Sequence, residues 1–90
     1  MLPYRTTAIF DESTLPAALR REHRTKAGAW GIVRVLEGKL RLLFPDGRME
    51  LLNPAQAGLI RPDETHWVEP VGPMRMQVEF YDREPEIRRS

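Results

Sequence analysis

The sequence contains no cysteine. Disulfides are therefore excluded as a source of stability, and any metal would have to be held by histidine and carboxylate rather than thiolate. An excess of charge is missing too. Fourteen Lys and Arg oppose 13 Asp and Glu, a formal net charge of +1, so no overall field gathers nucleic acid. The basic residues are scattered apart from the pairs Arg20-Arg21 and Arg88-Arg89, and no nucleic-acid partner is expected. No uncharged run approaches the roughly 18 residues of a membrane span. Residues 1–5 lack the basic region and apolar run of a secretory leader. A cytoplasmic location without a membrane partner is the expectation. No nucleophile constellation is present either. Ser13 lies in a turn segment and Ser90 ends the sequence, and no Gly-rich phosphate loop precedes a helix. No catalytic residue is assigned.

What is present suits one small domain. The 90 residues are 41% apolar and 30% charged, ordinary for a globular chain near the lower size limit of a single core. A core of about residues 4–82 is expected, with 83–90 a charged, frayed tail. Eight prolines and six glycines punctuate the chain at short intervals, which favours short strands and leaves no room for a long helix. Strands are expected over residues 6–10, 30–36, 39–44, 49–52, 58–61, 66–71 and 74–81. Residues 17–21 have helical propensity, with Ser13 or Thr14 as a cap and Pro16 in the first turn; one helical turn and a strand leading into His23 are both open readings. Glu37-Gly38 and Gly72-Pro73 read as hairpin turns, each joining the strands on either side. In the last strand Met74, Met76, Val78 and Phe80 alternate with Arg75, Gln77, Glu79 and Tyr81, the period of a strand with two unlike faces. Short antiparallel strands with regular turns predict an all-β sandwich or barrel. With no disulfide and a thin core, pairing of strand edges into a homodimer is expected.

Two segments are more specific. Residues 35–40 (VLEGKL) are similar to the strand–turn–strand that follows the first metal motif of cupins. Residues 53–68 (NPAQAGLIRPDETHWV) resemble the second cupin motif, in which a turn and short strand lead to a proline and a ligand histidine. With residues 23–31 (HRTKAGAWG), 34–40 (RVLEGKL) and 76–81 (MQVEFY), the chain resembles the small cupin-like domain of the tellurite-resistance TehB/YeaR-like family over about residues 4–82. The resemblance implies a small antiparallel β-barrel of the double-stranded β-helix or jelly-roll type. It also implies a functional link to an S-adenosylmethionine-dependent methyltransferase, to which such domains are fused in some members. Ninety residues of short strands cannot themselves supply that enzyme's α/β fold.

The sequence departs from both cupin motifs, at His23, Lys26 and Gly31 from the first and at Ala55 from the second. His23 stands alone, Lys26 lies near where a second histidine would fall, Gly31 takes the place of the glutamate, and Ala55 replaces the glycine after Pro54. The chemistry of a three-histidine, one-glutamate dioxygenase is therefore not carried over. A His23, His66 and Glu79 set would suit a divalent metal such as zinc, iron, nickel or manganese, with Glu64 a second candidate carboxylate in the turn before His66. The resemblance points His66 into the barrel, brings His23 beside it and places Glu79 inward on the last strand. Ligands of one ion lie within roughly 3–4.5 Å of one another. Lone histidines outside HxH spacing are more often surface or core residues than ligands. Trp30, Phe80 and Tyr81 could line a pocket or pack a core, whereas Trp67, next to His66, points the other way. Arg34, Arg41, Arg61 and Arg75 read as outward charges, and one turned inward would select an anionic ligand. Three readings follow: a small-ligand or metal-ion binding module linked through its family to tellurite or stress resistance, a metal-dependent enzyme using His23, His66 and Glu79, and an interaction domain with an inert interior.

Overall fold

The computed structural model describes residues 2–87. Strands and turns dominate it. In chain order the elements are β1 (Arg5–Thr6), β2 (Phe10–Asp11), a single 3-10 turn (Ala17–Arg20), β3 (His23–Arg24), β4 (Trp30–Leu43), β5 (Met49–Leu52), β6 (Gly58–Ile60) and β7 (Thr65–Tyr81). All strand pairs are antiparallel. The fold is therefore all-β, as the composition implies.

Two long strands organise everything else. β4 pairs with β7 along its whole length, from Trp30 opposite Tyr81 to Leu43 opposite Trp67. Neither Glu37-Gly38 nor Gly72-Pro73 is a hairpin turn. Each lies inside a continuous strand, because the two expected hairpins pair with one another rather than within themselves. A straight strand of 17 residues would run to about 56 Å at ~3.3 Å per residue, yet the longest dimension of the molecule is 32 Å. The ribbon must bend. The register shifts between Val35 and Glu37 and again between Glu37 and Lys39, and bulges of this kind add local bend and twist. Gly38 (φ 76°) and Gly72 (φ 70°) take left-handed conformations there. The sequence signals at those positions report a bend, with the residue chemistry of a turn.

Bending lays the apolar faces of the two ribbon halves against each other. Val33, Val35, Met74, Met76 and Val78 from one half share a single buried cluster with Leu40, Leu42, Phe44, Leu52 and Val68 from the other. β5 extends one half and β6 the other, both on β4. β1 and β2 pair with the far end of β7, and β3 with its start. The main strand order β1-β7-β4-β5 is open at its ends; no pairing among the described residues closes it into a barrel.

Smaller expectations are corrected. The first strand divides into β1 and β2, and between them Thr7 holds β7 through two groups: its amide donates to the Val78 carbonyl at 2.9 Å and its hydroxyl accepts from the Val78 amide at 3.0 Å. The 3-10 turn begins at Ala17, just after Pro16, with no side-chain cap. Thr14 instead serves a local turn with Asp11, whose amide donates to its hydroxyl. The tail does not hang free as far as it is described. Pro85 is buried, and Ile87 packs against Ile32, Ala57 and Tyr81 on the outer face of the sheet. The remainder of the expected tail, 88–90, lies outside the described residues.

Candidate functional site

β3 is only two residues long, but it sets His23 directly opposite His66 of β7. Thr25 fixes this pairing. Its amide donates to the Glu64 carbonyl at 3.2 Å, its carbonyl accepts from the Asp63 amide at 3.1 Å, and its hydroxyl donates to the same Glu64 carbonyl at 3.1 Å. Asp63 makes the tight turn before β7 with φ 58°, a conformation that Asp tolerates better than most residues. The two imidazoles consequently meet edge to face, with centroids 4.1 Å apart and planes at 66°.

Their hydrogen bonds define tautomers. His66 Nδ1 lies 2.8 Å from the Glu64 carbonyl oxygen, and His23 Nδ1 lies 3.1 Å from that of Arg21. A carbonyl only accepts, so Nδ1 is the donor in both rings and each neutral imidazole keeps a lone pair on Nε2. His66 is buried, 3% exposed. Burial holds its imidazole below the ordinary histidine value; the bond to Glu64 opposes that shift and the neighbouring His23 adds to it.

Both histidines border a cavity of about 240 Å³ between the ribbon halves. Val33, Ile60, Val68, Met76 and Val78 form its apolar wall. Phe80 lines it as well while packing against the main core. Around the mouth stand Tyr4, Arg5, Arg24 and Lys26, all exposed. Tyr4 and Arg5 arrive because β1 pairs with the end of β7, Arg5 opposite Phe80, and the Arg5 guanidinium lies 5.8 Å from the Phe80 ring centre. Neither Tyr4 nor Arg5 stood out in the sequence. The only signal available was the run of Arg24, Thr25 and Lys26 directly after His23.

The structure brings His23 and His66 together and leaves Glu79 apart. Glu79 accepts from Arg34 Nε at 3.0 Å and from the Tyr81 hydroxyl at 3.1 Å. Its position is a correction with a simple cause. Met76, Val78 and Phe80 take the inner face of β7, so alternation sends Glu79 outward. Glu64 is engaged as well: it accepts from the Arg61 amide at 3.1 Å and from Arg48 at 3.3 Å. Among the described residues no three His, Cys, Asp or Glu side chains form a group able to hold a metal ion. No Asp or Glu lines the cavity. Two imidazoles beside Arg24 and Lys26 do not fit a divalent ion, which needs more donors and carries the charge those side chains repel. Trp67 is absent from the cavity wall, in keeping with its place next to His66.

These features define an antiparallel β protein with a one-sided apolar cavity, a histidine pair on its wall and cations at its rim. The family model for the TehB-like domain matches residues 5–78, and the chain belongs to that family. It is similar to the crystal structure of TehB from Haemophilus influenzae, with 26% identity and a TM-score of 0.78 over 88% of this chain and 30% of that one. A protein from E. coli strain K12 has the same fold, with a TM-score of 0.76 at 19% identity over 92% of both chains. No curated protein matches the chain. The chain thus spans about a third of the length of the Haemophilus protein.

Proposed function

We propose that this domain is a cupin-type bowl that binds a small organic molecule, without metal chemistry of its own. The observation that carries the reading is the cavity. A two-layer fold of this size normally fills its interior with side chains, and here about 240 Å³ is left open. An engineered apolar cavity of about 150 Å³ takes benzene, so a ring-sized body can enter. The wall has the composition of a ligand site, apolar with a few convergent polar groups. The jelly-roll reading is supported by the bent ribbon, whose two halves share one core. The rival enzyme reading needs His23, His66 and Glu79 on one ion, and the ion pair of Glu79 with Arg34 speaks against it.

Domains like this one make up a minor part of the Haemophilus TehB chain. On this reading the domain serves as a binding module, supplying or sensing a small molecule for a partner activity. By family resemblance that activity is a methyltransferase, and the setting is tellurite or related stress.

The test combines two measurements on protein made without an affinity tag. Metal analysis is expected to give far less than one divalent ion per chain. Calorimetry with benzyl alcohol and benzamide is expected to show saturable binding that Val33→Phe, which fills the cavity, abolishes while leaving the protein folded. A stoichiometric metal lost in His23→Ala/His66→Ala, or probe binding indifferent to Val33→Phe, overturns the reading.

A further inference from the structure

The rim and the interior of the cavity differ in kind, and that difference orients a ligand. Arg5, Arg24 and Lys26 stand at the mouth. Among the described residues none of the three is in an ion pair, since the ion pairs formed use Arg34, Arg48 and Arg83. Glu64, adjacent in sequence to the Thr65 that pairs with Arg24, is already held by Arg48 and the Arg61 amide. The mouth is therefore a local concentration of positive charge on a chain that is almost neutral overall.

Deeper in, the polar groups have the opposite preference. The Nδ1 atoms of His23 and His66 are committed to carbonyls, which leaves only acceptor nitrogens. No buried side-chain nitrogen or oxygen among the described residues lacks a partner, so His66 Nε2, which makes no hydrogen bond, keeps contact with the open space beside it. An anion placed there would face lone pairs and an apolar wall, and would lose its hydration without donors to replace it. A neutral body, apolar or carrying one hydroxyl, would not.

Building on the small-molecule reading above, we infer that the ligand is an amphipathic organic anion: a ring-sized apolar body seated in the cavity and a carboxylate or similar group held at the mouth by Arg24 and Lys26, with Arg5 alongside. A bare inorganic oxyanion such as tellurite has the charge but no body to fill the interior, and is not the occupant of this cavity.

Benzoate, benzamide and sodium tellurite are the probes, titrated at pH 7.5 in low salt and followed by calorimetry and by amide shifts of cavity residues. Benzoate is expected to bind about fivefold more tightly than benzamide, the scale of one or two exposed charge pairs, and tellurite is expected not to displace it. Arg24→Ala/Lys26→Ala should bring benzoate down to the affinity of benzamide and leave benzamide unchanged, which also shows that the variant is folded. Should that variant not fold, Lys26→Gln alone is expected to remove about half of the preference on a logarithmic scale. Equal affinity for benzoate and benzamide in the native protein overturns the anion and leaves the pocket standing. Displacement of benzoate by tellurite overturns the amphipathic class. A preference for benzoate that survives the double substitution overturns the placement at the mouth. Absence of binding by all three probes removes the small-molecule reading together with this inference.

Discussion

At His66 a structural role and a ligand-facing role meet in one ring. Its Nδ1–H ties β7 to the Glu64 carbonyl, and burial disfavours its protonated form. The consequence for stability follows from linkage. The folded value lies below the ordinary value of 6.5, so between the two the unfolded chain binds more protons and stability rises with pH. The contribution is complete above about pH 6.5 and is lost as the pH falls below it. Melting temperatures taken from pH 7.5 to 5.5, above the range where carboxylates titrate, should decline in the native protein and decline less in His66→Gln. Parallel slopes would mean that His66 ionises as freely in the fold as outside it. The meeting of His23 with His66 was legible through the family motif alone, because 42 intervening residues hide the pairing from any local pattern. Glu79 shows the reverse. The alternation of Met76, Val78 and Phe80 already pointed it outward, and the resemblance that drew it inward gave way to the pleat.

At the level of the element, the β4–β7 ribbon is the decisive unit, and its bend depends on a close crossing. A Cβ on Gly38 would lie 2.3 Å from the Pro73 carbonyl oxygen, at a φ of 76°. Gly47 also has positive φ, 92°, but a Cβ there would meet nothing within 4 Å. Comparing the two separates conformational cost from collision. Gly47→Ala should destabilise by about 1 kcal/mol, the left-handed penalty, whereas Gly38→Ala should cost about 3 kcal/mol or more, since a backbone atom must move. Denaturant midpoints with unchanged m-values would measure both, and equal losses would show that the crossing is unimportant. The glycines were visible in the sequence and were read as hairpin turns. Turn chemistry specifies a backbone conformation, and the same conformation serves a bulge inside a long strand; only the pairing partner distinguishes them.

Across the whole molecule, the all-β class was legible because alternation and turn spacing are local. The cavity and its rim were not, since Arg5 reaches the mouth through Phe80, and Arg24 through Thr65. Such contacts exist only after the ribbon has folded over. The family match and the structural likeness to part of TehB place the domain without naming its ligand, so the account rests on the space beside the histidine pair. Nitrogen-15 spectra of the two imidazoles at pH 7.5, recorded through a titration with benzoate, examine that space directly. His66 is expected to begin as the neutral ring protonated on Nδ1, and its Nε2 resonance to move saturably as benzoate enters. A His66 ring whose resonances stay fixed while benzoate binds elsewhere, or that begins with its proton on Nε2, would contradict this.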